Sequence, residues 1–336
     1  MRPIPLVTGW NLLPFVDFLH GIGAPVERWL AECRIPAAIL EQPGRTVPLV
    51  LALDFAEHVA RAEGADSLGL DVGRHAAAES LGAFGSMLAR CPTLYDRAQT
   101  SCRLLSRVNN YSSMWLEAEG PEVRLHTRYG CDRVAALRHA EDFTLMLMLE
   151  AIGRAAGPGW KPAAIRLPGT RSQRFERDEL FQGVRMSYGE PDISIAFSTD
   201  LLARPLRKLP GGELPRFRAE APSAGDAVAA DFIGSLQDTI VALLPLGCPS
   251  AQELADIANT TPRTLQRRLA ESGTSLRQVT DWARFRLADE YLRGTSASVT
   301  DIAFELGYSD STAFTRSFHR LTGVAPSSYR ARSLDG

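Results

Sequence analysis

Residues 298–324 read SVTDIAFELGYSDSTAFTRSFHRLTGV, and this stretch indicates the fold of the C-terminal part of the chain. Apolar residues recur at helical spacing on both sides of Gly307, whose lack of a Cβ suits a tight turn. The pattern therefore predicts a short helix, a turn and a second helix about one turn longer, which is a helix-turn-helix unit. Five positions are expected to face inward between these helices: Ile302, Ala303, Leu306, Phe314 and Phe318.

Residues 250–274, SAQELADIANTTPRTLQRRLAESGT, repeat this layout. Thr261 is predicted to cap the second helix of this first unit, because Pro262 fits the first helical position, where its missing N–H costs nothing. Ser309 is predicted to cap the corresponding helix of the second unit. The expected inward residues of the first unit are Leu254, Ala255, Ala258, Leu265 and Leu269.

Residues 275–293, SLRQVTDWARFRLADEYLR, form one continuous helical pattern between the two units. At 1.5 Å per residue this helix is about 28 Å long, and one turn of B-DNA is about 34 Å. A spacer of this length can place both units on one face of a duplex, in successive major grooves. The aromatic residues of the region are expected in the core rather than stacked on bases: Trp282, Phe314, Phe318 and Tyr329.

Polar side chains that suit base recognition follow both predicted caps. Arg pairs with guanine, Gln pairs with adenine, and a helix N-terminus favours a phosphate. A solvated helix face is the alternative, but three arginines within positions 263–268 favour DNA. The candidate DNA-binding residues are Arg263, Thr264, Gln266, Arg267 and Arg268 in the first unit and Ser311, Thr312 and Arg316 in the second, with Thr261 and Ser309 as cap and phosphate positions.

The region from about Ser250 to Arg330 resembles the double helix-turn-helix domain of the AraC/XylS transcriptional regulators. Arg284–Ala288 and Tyr291–Leu292 match the spacer helix of that family. The second unit carries most of the signature, with Tyr308 where Phe is commoner: Ile302-Ala303, Gly307-Tyr308, Ser311-x-x-Phe314-x-Arg316-x-Phe318, Gly323-x-x-Pro326 and Tyr329-Arg330. The resemblance places Arg263, Gln266 and Arg267 on base-reading positions of the first unit and Ser311, Thr312 and Arg316 on those of the second. Short Ser and Thr side chains imply that the second unit reads fewer bases and contacts phosphate more.

The N-terminal part predicts a mixed domain. Helices and short strands occur without a repeating βαβ pattern, which indicates an α+β domain with a small antiparallel sheet. Its predicted helices cover residues 49–63, 94–109 and 137–157, and its predicted strands cover 123–129, 163–169 and 193–199. We therefore expect a ligand-sensing and dimerisation domain at 1–208, a Pro- and Gly-rich linker at 209–226, and an all-α double helix-turn-helix domain at 227–336.

The residues from about Gly23 to Leu206 resemble the "arabinose-binding" type of N-terminal domain found in one branch of these regulators. The stretches that carry this likeness are Pro43-x-Arg45-x-Val47-Pro48-Leu49, Leu68-Gly69-Leu70, Leu81-Gly82-x-Phe84-Gly85 and Cys91-Pro92-Thr93-Leu94. The label does not make arabinose the ligand, because members of this branch are associated with diverse small metabolites. The resemblance implies a small-molecule effector but names no residue that contacts it.

Composition restricts the remaining functions. Lys plus Arg is 37, Asp plus Glu is 39 and the net charge is −2, so the whole chain is not a basic nucleic-acid coat protein. From Cys248 on, 11 arginines face 10 acidic residues, so DNA affinity is expected to depend on dimerisation or on a second site. The five cysteines are scattered, which predicts reduced thiols of the cytoplasm and no metal site. We expect no cofactor, no signal peptide and no membrane segment.

Three groups of side chains in the N-terminal part leave two interpretations open. One strand face is either solvated or a cationic wall for an acidic metabolite. A methionine pair packs either in the core or against a partner subunit, and an aromatic group either forms plain core or lines a pocket. The strand face carries Arg124, His126 and Arg128. The methionine pair is Met146 and Met148, and the aromatic group is Phe84, Tyr111 and Trp115.

These observations together predict a bacterial transcription regulator in the cytoplasm rather than an enzyme, since no G-x-S-x-G, H-E-x-x-H or Walker motif occurs. We expect a ligand-responsive activator that binds double-stranded operator DNA as a homodimer, with a small-molecule effector and RNA polymerase as further candidate partners. One alternative is a constitutive regulator whose N-terminal domain only dimerises, and another is an enzyme fused to a DNA-binding domain. Convergent ionisable residues in an N-terminal pocket would favour the enzyme, whereas an apolar pocket with few polar groups would favour sensing.

Overall fold

A computed structural model describes residues 2–131, 137–207 and 228–334 of the chain. The predicted linker at 209–226 lies outside the described residues, and so do the boundaries placed at 208 and 227. The division of the chain at these positions therefore stays a prediction.

Short strands form two sheets in the N-terminal part. A small ribbon pairs β1 (Leu6–Thr8) antiparallel with β2 (Thr46–Pro48). The larger sheet contains β3 (Ser112–Glu119), β4 (Glu122–Tyr129), β5 (Ala164–Leu167), β6 (Arg185–Tyr188) and β7 (Ile193–Ser198). Its order is β3-β4-β7-β5-β6, and its pairs are antiparallel except β5–β6. The α+β class is confirmed, with one parallel pair added.

Helices pack against the larger sheet and against the ribbon. The three predicted helices are confirmed as α4, α7 and α8, and the three predicted strands as β4, β5 and β7. The helices are α1 (Leu13–Gly21), α2 (Val26–Glu32), α3 (Ala38–Glu41), α4 (Leu49–Ala62), α5 (Leu68–His75), α6 (Gly82–Ala89), α7 (Leu94–Leu104), α8 (Arg138–Ala156) and α9 (Gln173–Glu176).

Helix α8 is the central helix of this part, because it packs against α5 on one side and against the sheet on the other. A Cβ on Gly69 of α5 would lie 2.3 Å from the carbonyl oxygen of His139. The two helices therefore approach at a distance that only glycine permits. Met146 and Met148 of α8 are buried in the hydrophobic core, which supports the core interpretation of this pair.

Every regular element among the described residues from 232 to 334 is a helix, as predicted. Its core is apolar: Leu254, Leu265, Leu269 and Leu306 are fully buried, and Phe314 and Phe318 pack against each other with ring centroids 5.6 Å apart. The helices are α10 (Phe232–Leu243), α11 (Ala251–Ile257), α12 (Pro262–Glu271), α13 (Leu276–Gly294), α14 (Val299–Glu305), α15 (Ser311–Thr322) and α16 (Pro326–Leu334).

One expectation about burial is wrong and a second is met. Trp282 of α13 is 63% exposed rather than in the core, because the buried face of that helix runs through Val279, Ala283 and Leu287. Tyr329 is half-buried and packs edge-on against Phe318, which agrees with the core expectation for that residue.

The strand face of Arg124, His126 and Arg128 is neither solvated throughout nor a free cationic wall. Arg124 and His126 are buried. Arg124 forms two hydrogen bonds of 3.2 Å with the Glu119 carboxylate, and Asp192 accepts from Arg128 at 2.9 Å and lies 2.9 Å from His126 Nδ1. The carboxylates of Glu119 and Asp192 thus balance the positive charge on this face.

The pKa of Glu141 in α8 makes the stability of the N-terminal part depend on pH. Burial, together with the nearby Asp142 carboxylate, raises this pKa from 4.5 to about 7, although the Arg174 guanidinium acts in the opposite direction. A carboxyl group whose pKa is raised by folding destabilises the protein as pH rises from about 4.5 to about 7. We expect Glu141→Gln to increase the free energy of unfolding at pH 8 by about 1–3 kcal/mol and to change it little at pH 4.5. Urea unfolding at both pH values measures this, and an equal effect at both would contradict it.

Candidate DNA interface and ligand cavity

The N-terminus of α12 has the predicted cap. The Thr264 backbone N–H donates to Thr261 Oγ1 at 3.2 Å, and Pro262 occupies the first helical position. Local sequence suffices for this arrangement, since the cap and its partner are three residues apart. The cap thus positions the first turn of α12 and the side chains that follow it.

The side chains after this cap differ in exposure. Arg263, Gln266 and Arg267 are exposed, and the Arg267 side chain keeps 69% of its surface accessible. Arg268 is half-buried, and its guanidinium group lies 5.9 Å from the ring centroid of Phe232 in α10. Arg268 therefore contributes to packing α12 on α10, whereas the three exposed residues are available to a ligand as large as DNA.

The cap of α15 is Asp310 and not Ser309, which corrects the expectation. The Ala313 backbone N–H donates to Asp310 Oδ1 at 2.7 Å, and the Ser309 hydroxyl donates to the other Asp310 oxygen at 3.1 Å. Both hydrogen bonds hold the pKa of Asp310 below its ordinary value. The helix starts at Ser311, so the capping position falls on the residue after Ser309, and the ionised cap disfavours a phosphate at this position.

The remaining second-unit candidates lie just beyond that cap. Thr312 and Arg316 are exposed and Ser311 is half-buried. Arg316 is the sixth residue of α15, as Arg267 is the sixth residue of α12. The two units therefore present an exposed arginine at the same position of equivalent helices.

The spacer helix α13 is bonded to the second unit. Arg284 Nε donates to the Leu306 carbonyl at 3.1 Å, and its guanidinium group lies 4.6 Å from the ring centroid of Tyr308. Arg320 of α15 pairs with Asp281 of α13 at 2.9 Å. These contacts hold α15 on the spacer, as simultaneous binding of two grooves requires.

The corrected cap predicts different effects for two adjacent residues. Asp310→Ala is expected to lower the free energy of unfolding of the C-terminal part by about 1 kcal/mol, because it leaves a helix N–H without its acceptor. Ser309→Ala is the matched control, with an expected change of about 0.3 kcal/mol or less, since Ser309 caps no helix. Equal losses in chemical unfolding would contradict Asp310 as the cap.

A cavity of about 100 Å³ lies between the larger sheet and helices α6, α7 and α8. Phe84 and Tyr111 line it, as the pocket interpretation of the aromatic group expects. Trp115 does not line it, because that ring stacks on His126 with centroids 4.8 Å apart. A second cavity of about 60 Å³ adjoins the first and shares the Tyr111 wall.

The N-terminal residues pack into the C-terminal core. Ile4 and Leu6 are buried among residues of α10, and the Ile4 N–H donates to Ser235 Oγ at 2.8 Å. Asn110 is the central residue of this contact. Its amide nitrogen donates to the carbonyls of Ile4 at 3.0 Å and Ala229 at 2.7 Å, and its amide oxygen accepts from the Leu6 N–H at 2.8 Å.

Two ion pairs add to the contact between the N-terminal and C-terminal parts. Arg34 pairs with Glu253 of α11, and Arg45 pairs with Glu290 of α13 at 2.6 Å. Arg45 also lies 5.7 Å from the ring centroid of Tyr291. Sequence analysis missed these pairs, because their partners are more than two hundred residues apart.

No helix in the described ranges combines the length and apolarity needed to cross a membrane. In the same parts of the chain, His, Cys, Asp and Glu nowhere gather in a group of three or more that could hold a metal ion.

Family comparisons agree with this architecture. Residues 23–206 match the family model described as the arabinose-binding domain of AraC transcription regulator, N-term, and residues 254–332 match a helix-turn-helix domain. The regulator VirS of Mycobacterium tuberculosis is 24% identical over 337 residues, which covers 97% of this chain and 96% of that protein.

Two further similar proteins are a relative that matches over a shorter length and a solved structure with a low TM-score. The ornithine utilization regulator of Pseudomonas aeruginosa is 42% identical over 82 residues. This match covers 24% of this chain and 24% of that protein, so the chain spans only about a quarter of that relative's length. The crystal structure of the transcriptional regulator CdpR from Pseudomonas aeruginosa is 20% identical with a TM-score of 0.37, and the match covers 91% of this chain and 96% of that chain.

Two helix-turn-helix units joined by a helical spacer, behind an α+β domain, define a DNA-binding transcription regulator. The N-terminal family match at 23–206 covers more than half of the chain. The chain belongs to the AraC transcription regulators that carry an arabinose-binding-type N-terminal domain.

Proposed function

We propose that this regulator binds operator DNA through the N-terminal turns of α12 and α15, and that a small molecule in the N-terminal cavity controls the binding. The exposed side chains past both caps carry the first half of this proposal. Arg263, Gln266 and Arg267 offer donors that match guanine and adenine edges, and Arg316 offers one in the second unit. We assign Thr264, Ser311 and Thr312 to backbone contacts near them.

The cavity supports ligand sensing better than catalysis. Its walls are largely apolar, and the ionisable groups beside it pair with each other: Arg97 and Arg154 bond with Glu79, and Glu150 lies 3.5 Å from Arg97. A closed ion-pair cluster offers no free acid, base or nucleophile to a substrate. An effector that fills an apolar cavity fits this chemistry.

A physical route connects the cavity with the DNA-binding part. Asn109 lines the cavity, and the next residue, Asn110, bonds to Ile4 and Ala229 just before α10. A ligand that moves the Asn109 wall acts on the position of α10 relative to the N-terminal part. Control then follows as a population shift between two arrangements, with a coupling of about 1–3 kcal/mol typical of such systems.

We further propose that the chain acts as a homodimeric activator that contacts RNA polymerase. The near-neutral charge of the residues from Cys248 on supports the dimer, because one such domain neutralises few phosphates. Two domains on tandem half-sites double the number of phosphate contacts. Sedimentation of the full chain with and without operator DNA tests this stoichiometry.

Removing the ion pairs Arg34–Glu253 and Arg45–Glu290 tests the coupling between the N-terminal part and operator binding. Replacing Arg34 and Arg45 by alanine is expected to raise operator affinity about threefold to tenfold. In the free protein these ion pairs hold the DNA-binding part in one position, whereas two half-sites on DNA require the spacing of the operator. Removing the pairs lowers the free-energy cost of moving from the first position to the second. Fluorescence anisotropy with DNA from upstream of the coding sequence measures the change.

Arg28→Ala with Arg61→Ala is the matched control, since these two arginines of the N-terminal part are exposed and pair only within their own helices. Operator affinity within twofold of wild type for both double variants would count against coupling through this contact. It would favour a constitutive regulator whose N-terminal domain only dimerises.

A further inference from the structure

We propose that the cavity between the sheet and α6–α8 binds an uncharged, mainly apolar small molecule with one or two hydrogen-bonding groups, and neither a sugar nor a charged amino acid. This inference rests on the proposed ligand control and adds the chemical class of the ligand. Three features of the cavity carry it: its walls, its charge balance and its few unused polar groups.

The walls of the cavity come from several elements and are mainly hydrocarbon. Apolar burial provides a driving force that scales with the area removed from water and makes no demand on direction. A ligand with a hydrocarbon body therefore gains affinity over most of its surface. Six of the lining residues are Phe84, Leu88, Leu105, Leu125, Leu147 and Met148.

The one charged residue that lines this cavity within the described chain is Arg97, and its charge is already balanced. Arg97 is 2% exposed and bonds with both oxygens of Glu79. The two arginines of the cluster face two glutamates, and the pKa of Glu79 is held at about 2, since Arg97 and Arg154 outweigh the effect of burial. Glu79 is thus ionised at neutral pH, and an anionic ligand would meet its carboxylate beside Arg97.

Most polar atoms on the cavity wall are used by the protein itself. Asn109 Oδ1 accepts from the backbone and hydroxyl of Ser112 at 2.9 and 2.7 Å. Thr127 donates to the Ser113 carbonyl, and the Tyr129 hydroxyl lies 2.6 Å from Thr144 Oγ1. A sugar would bury several hydroxyls here without partners, and each such loss weakens binding roughly 5- to 150-fold.

The Tyr111 hydroxyl, like the Ser101 hydroxyl on the same wall, has no hydrogen-bond partner among the described residues. Burial raises its pKa well above the ordinary value, so it stays protonated and can donate. Its ring stacks on Tyr129 with centroids 5.7 Å apart. This hydroxyl is the group that meets an alcohol, ester or ketone oxygen of the ligand.

The size of the cavities sets an upper limit on the ligand. The larger volume of about 100 Å³ accommodates on the order of ten non-hydrogen atoms. The smaller one of about 60 Å³ shares Tyr111, Tyr129 and Phe143 with it. A chain-like ligand can therefore extend past the tyrosine pair into the second cavity.

Competition against a neutral fluorescent probe tests the ligand class on the full-length protein. 1-Naphthylamine, which is neutral at pH 7 and has about eleven non-hydrogen atoms, should bind with a blue-shifted emission, and 1-octanol should displace it. Octanoate, octylammonium and L-arabinose should displace it at least tenfold less well. Equal or better displacement by either ion or by arabinose, or no binding of the probe and of 1-octanol, overturns the proposal.

Three variants locate the binding. Ala151→Phe fills the cavity from α8 and should abolish displacement by 1-octanol, whereas Ala62→Phe on the exposed end of α4 should leave it unchanged. Tyr111→Phe should weaken 1-octanol binding about threefold to tenfold without lowering the melting temperature, because its hydroxyl bonds to none of the described residues. Unchanged 1-octanol affinity in Ala151→Phe overturns the assignment.

Operator binding is measured separately in the same samples. If 1-octanol binds as described but operator affinity does not change, ligand control fails while the assignment of the cavity stands. If an ionic or sugar ligand binds and changes operator affinity, ligand control stands while the assignment fails.

Discussion

Replacing Arg267 and Arg316 together by alanine is expected to lower the affinity of the full chain for its operator by roughly 30-fold or more, since each lost bidentate contact is worth about 1–3 kcal/mol. Both arginines are exposed and occupy the same position in equivalent helices. Anisotropy titrations at several salt concentrations measure the loss, and the slope of log K against log salt should fall by about 1–2.

The single variants separate base reading from phosphate contact. Arg267→Ala and Arg316→Ala should each relax sequence preference at one base position, whereas an almost equal loss for all sequences would assign that arginine to a phosphate contact. Arg28→Ala with Arg61→Ala removes the same charge from α2 and α4 and should stay within twofold of wild type. A double variant at 267 and 316 that folds, by circular dichroism, and binds like wild type would show that these helices do not enter the grooves.

Arg97→Ala has the largest expected effect on stability, a loss of about 3–5 kcal/mol in the free energy of unfolding of the N-terminal part. It leaves the buried Glu79 carboxylate with Arg154 alone. The depressed pKa of Glu79, about 2, shows that this carboxylate stabilises the fold above pH 4.5 and loses that contribution as pH falls toward 2. Chemical unfolding at pH 7 measures the loss.

A paired replacement is the control for this cluster. Glu79→Gln combined with Arg97→Met removes both charges and keeps the volume, so most of the stability should return. Arg28→Ala, an exposed change on α2, should shift stability by about 0.5 kcal/mol or less. A loss below about 1 kcal/mol for Arg97→Ala would show that the buried pair contributes little to the fold.

The double helix-turn-helix architecture was predictable because its signals are local. The Thr261 cap, the turn at Gly307 and the inward Phe314 and Phe318 each depend on residues within about one or two helical turns. Helical spacing alone also predicted α4, α7 and α8. The exposed positions of Arg263, Gln266 and Arg267 follow from the same spacing, since they lie opposite the buried Leu265 and Leu269.

Local signals failed where two residues offered the same chemistry or where a neighbouring element decided burial. Ser309 and Asp310 are both good caps, and the start of α15 at Ser311 selects Asp310. Trp282 is apolar, but the elements packed on α13 cover the opposite faces of that helix. Strands β3 and β6 were not predicted, because both are edge strands and neither carries the buried, alternating apolar pattern of a central strand.

Contacts between distant segments could not be inferred from the chain order at all. Arg97, Arg34 and Arg45 look like ordinary surface charges in the sequence, yet folding buries the first against Glu79 and joins the other two to the DNA-binding part. The cavity likewise takes its walls from helices and strands spread over more than a hundred residues. Helix periodicity and capping act within a few residues, whereas packing and charge pairing depend on which remote surfaces meet. For that reason helices α12 and α15 followed from their residues, and the cavity and its link to α10 emerged only once the chain was folded.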